Sequence, residues 1–110
     1  MAKVSALSPQ TRAGVELLGL EIARARRARR WSQAELAERA GVSVLTIRSI
    51  ERGSPSVAIG TVFEVAALLG LNLFDASPQQ LPTLVTRSQD RLALLPTRVR
   101  TRSARVEDDF

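Results

Sequence analysis

Ser32-Gln33-Ala34-Glu35-Leu36-Ala37-Glu38-Arg39-Ala40-Gly41-Val42-Ser43-Val44-Leu45-Thr46-Ile47-Arg48-Ser49-Ile50-Glu51-Arg52-Gly53 is the stretch on which the rest of the chain depends. It opens with a Ser-x-x-Glu capping box, in which the Ser32 hydroxyl accepts from the Glu35 amide and the Glu35 carboxylate reaches back. Leu36, Ala37 and Ala40 then fall on one side of a short helix. Gly41 stands where a left-handed residue would stop it. Val42 packs in the turn, and Ser43 is a second N-cap. The next helix runs to about Arg52 and is closed by Gly53. Two short helices joined through a glycine turn are a helix-turn-helix.

The 110 residues leave room for one domain and a tail. At 45% hydrophobic residues the chain can form a compact core, although a domain of this size is marginal unless it associates. Sixteen Lys+Arg against eleven Asp+Glu give a net charge of +5, and Lys3 is the only lysine. An arginine-rich basic chain suits polyanions, nucleic acid before membrane. Cysteine is absent, which excludes disulfides and thiolate metal sites and makes a reducing, cytoplasmic setting the expectation. Residues 1–14 lack an apolar signal-peptide core. The most apolar run, Ile59 to Phe74, is interrupted by Glu64 and reads as a buried helix, so no membrane partner is expected.

Working outward, residues 1–10 read as a disordered arm. From about Thr11 to Arg30, Val15, Leu18, Ile22 and Ala25 recur at helical spacing. Arg24, Arg26, Arg27, Arg29 and Arg30 crowd the end of that helix. Two readings stand for them: a solvated terminus whose cations suit the negative helix end, or a phosphate-facing patch. Arg26 differs, because it lies one turn after Ile22 at the edge of the buried stripe. Trp31 reads as a hydrophobic staple onto Leu36 or the Glu35 stem.

Past Gly53, Pro55 keeps Ser54 to Val57 out of helix. A fourth helix is predicted over about Ala58 to Leu69, with Ile59, Val62, Phe63, Ala66 and Leu69 inward. Val65 and Leu68 fall outside that stripe. Together with Leu71, Leu73 and Phe74, a last short helical piece, they are assigned to a contact with a second copy. From residue 77 the composition changes, and residues 77–110 read as a flexible tail. Within it, Thr83 to Thr86 is a candidate strand, and Ser88 to Leu95 a helical turn or two ended by Pro96. Residues 97–105 are arginine-rich and aperiodic, before the Glu-Asp-Asp-Phe end.

Catalysis has little to stand on. Without His, Cys or Tyr, Ser-His-Asp and Cys-His nucleophilic arrangements are excluded. No glycine-rich phosphate loop is present. No cofactor or metal is called for, and an enzyme is not expected. The second helix of the motif is more informative. Thr46, Ile47 and Ile50 face Leu36 and Ala40, which leaves Val44, Leu45, Arg48, Ser49 and Arg52 on the outer side. Aliphatic groups there suit thymine methyls in a major groove, and Arg48 suits guanine or phosphate; the competing reading has Val44 and Leu45 capping the core. Gln33 and Ser43 sit at helix N-termini, where polar groups bind phosphate or simply start helices. Base contacts are therefore assigned to Val44, Leu45, Arg48 and Ser49. Phosphate contacts are assigned to Gln33, Ser43, Arg52 and Ser54.

Arg26 through Leu71 resembles the DNA-binding domain of the lambda-repressor-like, or Xre, family. The matching residues are Arg26, Ser32-Gln33-Ala34-Glu35-Leu36-Ala37, Ala40-Gly41-Val42-Ser43, Thr46-Ile47, Ser49 to Gly53, and Ala66, Leu69 and Gly70. The resemblance implies an all-α domain of five short helices, here about residues 11–76, working as a homodimer on an inverted repeat of double-stranded DNA. It also implies a buried ion pair, which falls on Arg26 and Glu51. The glutamine that often begins the reading helix is replaced here by Val44 and Leu45, so no operator carries over. Leu92 to Arg100, followed by the Asp-Asp-Phe end, resembles the C-terminal extension of HipB-like antitoxins. That similarity implies autoregulation and a HipA-like kinase toxin docking on Leu92, Leu94 and Leu95. The alternatives are a toxin neutraliser with little DNA role and a stand-alone phage-type repressor.

Overall fold

The computed structural model describes residues 6–98. The first half of the expected arm and the Arg-rich stretch from residue 99 to the acidic end lie outside the described residues. Among those described, the protein is all-α, with five α-helices and no strand. They are α1 (Pro9–Ala28), α2 (Gln33–Ala40), α3 (Val44–Glu51), α4 (Ile59–Leu68) and α5 (Leu81–Ala93). The chain divides into two compact units, one through Asp75 and one from Ala76 onward.

Helix α1 starts two residues earlier than its apolar stripe suggests. Ser8 is the N-cap, its hydroxyl accepting from the Thr11 amide at 3.2 Å, and Pro9 occupies the first turn, where its fixed φ and missing N–H cost nothing. The helix closes through a Schellman pattern: the Trp31 amide donates to the Arg26 carbonyl and the Arg30 amide to the Arg27 carbonyl. Arg30 takes the left-handed position of that turn at φ 59, where glycine is the usual occupant. Helix α2 carries the full capping box, with both Ser32–Glu35 bonds made, and ends at Gly41 with φ 73. Ser43 caps α3 by accepting from the Thr46 amide at 3.0 Å.

The core of this unit joins Ile22 and Ala25 of α1, Leu36 and Ala37 of α2, Ile47 and Ile50 of α3, and Val65 and Leu69 around α4. Ile22, Leu36, Ile47 and Val65 are fully buried; each contributes about 1.5–3 kcal/mol relative to exposure. Trp31 packs against this core as a staple should, with the Arg39 guanidinium 4.3 Å from its ring centroid.

Helix α4 corrects the sequence reading. Val65 is buried, not part of a surface for a second copy, and Ile59, expected inward, is 75% exposed. The inward stripe is Val62, Val65, Ala66 and Leu69. Nearly every residue of this helix is apolar, so the pattern itself does not fix its rotation; the exposed Glu64 marks the outer side. Leu71 packs half-buried against the core. Residues 71–74 are irregular, with a turn at 73–74, and not a last helix. Phe74 stacks on Phe63 with ring centroids 5.9 Å apart. Leu68, Leu73 and Phe74 remain exposed.

The second unit is a 3-10 turn, Pro78–Gln80, followed by α5. Thr83 to Thr86 lies inside α5, so the strand expected there is absent, and the tail is helical through Ala93. Pro82 in the first turn suits a helix start, and the Thr86 hydroxyl donates to the Pro82 carbonyl one turn back, at 3.2 Å. The β-branched residues that suggested a strand are accommodated by a helix that places Leu81, Leu84, Val85 and Leu92 along one side. No residue of α5 is buried.

Candidate nucleic-acid interface

The unit holding α1 to α4 positions its surface residues by fixing both ends of α3. At the start, Ser43 and Thr46 share a 3.0 Å hydroxyl contact in addition to the cap bond. At the end, Glu51 is anchored to α1. The Arg26 Nε donates to Glu51 Oε2 at 2.7 Å and its second nitrogen donates to Oε1 at 3.0 Å. Both side chains are more than nine-tenths covered. The third arginine nitrogen donates to the Trp31 carbonyl at 2.9 Å. The hydrogen bond to Glu51 holds the Arg26 guanidinium above its ordinary pKa; desolvation opposes this, and the charge of Glu51 adds to it. The ion pair expected between Arg26 and Glu51 is therefore present in bidentate form.

Gln33 completes this network, which its place at the start of α2 did not disclose. Its amide donates to Glu51 Oε1 at 3.0 Å, leaving the side chain half-buried between α2 and α3. One N–H of the group assigned to phosphate is thus committed inside the domain.

On the outer side of α3, Leu45 is 65% exposed. Arg48 and Arg52 are exposed as well, and neither forms an ion pair among the described residues. Ser49 is half-buried and accepts from Arg52 at 3.4 Å. Val44 is half-buried and packs against the core at the start of α3. That packing fits the competing reading, in which Val44 caps the core. Ser54 is held by its amide bond to the Ser49 carbonyl and by a 3.0 Å contact with the Ser56 hydroxyl. Between the starts of α3 and α4 lies a concavity of about 540 Å³, walled by Ser43, Leu45, Thr46, Ser49, Ser56 and Thr61. Ser56 and Thr61 were not legible as site residues, since only the fold brings the α3–α4 loop beside α3.

The arrangement offers an exposed helix face with two guanidinium groups outside any ion pair among the described residues, one exposed aliphatic group and a wall of hydroxyls. Those are groups that bind phosphates and read base edges. Among the described residues no cluster of acidic side chains could hold a metal ion. No described helix is long and apolar enough to cross a membrane. Comparison with curated proteins and with solved structures finds no significant match. A family model described as helix-turn-helix matches residues 22–75, which covers α2, α3 and α4 together with the last third of α1. The segment from Ile22 to Asp75 is therefore similar to helix-turn-helix domains, in agreement with the α2–turn–α3 geometry.

Proposed function

We propose that the protein is a sequence-specific repressor that lays α3 in the major groove of an inverted-repeat operator as a homodimer. The observation that carries this reading is the outer face of α3: Leu45, Arg48 and Arg52 are exposed while Ile47 and Ile50, on the opposite side, are buried. Base contacts fall to Leu45, Arg48 and Ser49. Phosphate contacts fall to Arg52, Ser43 and Ser54, with the remaining polar atoms of Gln33. One such helix spans only a few base pairs, so useful affinity asks for two copies about one DNA turn apart. Leu68, Leu73 and Phe74, with the edge of Leu71, supply the surface for that pairing.

The test is selection of a binding site from random duplex, followed by titration of variants against it. Arg48→Ala should lose about 1–3 kcal/mol of binding and relax preference at one position if it pairs with a base. A uniform loss over all sequences, with a shallower salt dependence, would instead place Arg48 on phosphate. No binding to any duplex at low salt would overturn the proposal.

The finer role we assign is that of the autoregulating antitoxin of a HipA-like kinase toxin. It is supported by the resemblance of Leu92 to Arg100, with the Asp-Asp-Phe end, to HipB-like extensions and by the exposure of Leu92, Leu94 and Leu95. These leucines stand beside Arg91 and Arg98, which suits an apolar dock with an acidic rim. Deleting residues 87–110 should leave operator affinity within about twofold, since the groups assigned to DNA lie in the other unit, and should abolish capture of the toxin in a co-purification. Loss of operator binding in that truncation would contradict the division of labour.

A further inference from the structure

Readout at the head of α3 has to rely on something other than paired hydrogen bonds. Its first three residues are Val44, Leu45 and Thr46, none of which carries the amide or guanidinium that grips adenine or guanine at two points. Val44 is half-buried against the core, and the Thr46 hydroxyl is engaged with Ser43. That leaves Leu45, an isobutyl group 65% exposed at the end of the helix. In a major groove such a group has one apolar partner, the C5-methyl of a pyrimidine. Thymine carries this methyl, and so does cytosine methylated at C5. The two bases differ at C4, a carbonyl acceptor in one and an amino donor in the other. A hydroxyl satisfies either, because it both donates and accepts. The concavity that Leu45 lines also carries the hydroxyls of Ser49, Ser56 and Thr61, beside Val42, Val57 and Ala58.

We infer that Leu45 selects a C5-methylated pyrimidine, thymine or 5-methylcytosine alike, at one position of each half-site, so that cytosine methylation there strengthens binding. The inference rests on α3 being the groove helix, as proposed above. Its test uses the full chain and a selected duplex in which each thymine is replaced in turn by deoxyuridine, by deoxycytidine and by 5-methyldeoxycytidine, the last two opposite guanine. At one thymine per half-site, removing the methyl should weaken binding about fourfold, the equivalent of one methyl withdrawn from water. Methylating the cytosine at that position should restore about the same factor. In Leu45→Ala, a surface change that leaves the fold intact, both ratios should fall to about one while the salt dependence is unchanged. Salt-dependent binding without any methyl effect, or a methyl effect that survives in Leu45→Ala, would overturn the inference and leave the repressor proposal standing. Absence of binding to every duplex would overturn both.

Discussion

Arg26→Met should lower the free energy of unfolding by about 3–5 kcal/mol. The substitution keeps the volume and leaves the Glu51 carboxylate in place, more than nine-tenths covered, with the Gln33 amide as its remaining side-chain donor. It also strips the Trp31 carbonyl of the guanidinium that donates to it. For a small domain whose total stability is on the order of 5–10 kcal/mol, a loss of that size leaves a large unfolded fraction. Arg26→Met with Glu51→Met should recover much of the loss, since an apolar pair of similar volume replaces a desolvated ion pair at little cost. The recovery should be partial, because the Gln33 amide and the Trp31 carbonyl still want partners. The raised pKa of Arg26 sets the pH behaviour. A basic group raised in the folded state gives its full contribution at every pH below its unfolded value. The deficit of the single variant should therefore be flat from about pH 7 to about pH 10. Denaturant titration followed by Trp31, the only tryptophan, measures all of this directly. A single variant within about 1 kcal/mol of the parent would mean that the two charges are solvated in solution.

What the sequence disclosed follows the distance over which each feature is encoded. The capping box at Ser32 and Glu35, the left-handed Gly41 and the Ser43 cap are set by residues three or four apart, and each was readable and is present. The pairing of Arg26 with Glu51 spans 25 residues; it is legible only through the family resemblance, with the place of Arg26 at the edge of an apolar stripe in support. Gln33 on Glu51 spans 18 residues, and at the start of a helix the glutamine looks the same whether it faces solvent or a neighbour. Val65 and Ile59 exchanged places because an almost wholly apolar helix offers no polar face to fix its rotation. Thr83 to Thr86 misled through β-propensity, a weak preference that Pro82 in the first turn and the apolar spacing of α5 override. The outward set on α3 was legible except for the half-burial of Val44, which depends on how the core packs around the start of the helix. Gly19 had no visible role in the sequence, since a glycine inside a helix reads only as a mild defect.

Gly19→Ala should destabilise the fold by about 3 kcal/mol, although alanine is the better helix former by about 1 kcal/mol. The reason is the crossing of α1 over the end of α3. A Cβ at position 19 would run into the carbonyl oxygen of Ile50 and lie 3.1 Å from that of Glu51, with the Glu51 carbonyl carbon at 3.2 Å. These are backbone atoms, so no rotamer change relieves the contact. The helices must separate, and separation draws Ile22 away from Ile47 and Ile50 and lengthens the Arg26–Glu51 bonds on the same crossing. Gly14 is the control within the same helix. A Cβ there meets nothing within 4 Å, so Gly14→Ala should keep the propensity gain and stabilise by about 1 kcal/mol. The two substitutions are chemically identical and five residues apart, and their effects on the denaturation midpoint should have opposite signs. Operator affinity should fall with Gly19→Ala as well, because the displaced crossing carries the C-terminal anchor of the reading helix. If Gly19→Ala proves as stable as Gly14→Ala, then α1 does not cross α3 at this distance, and the Arg26–Glu51 geometry fails with it.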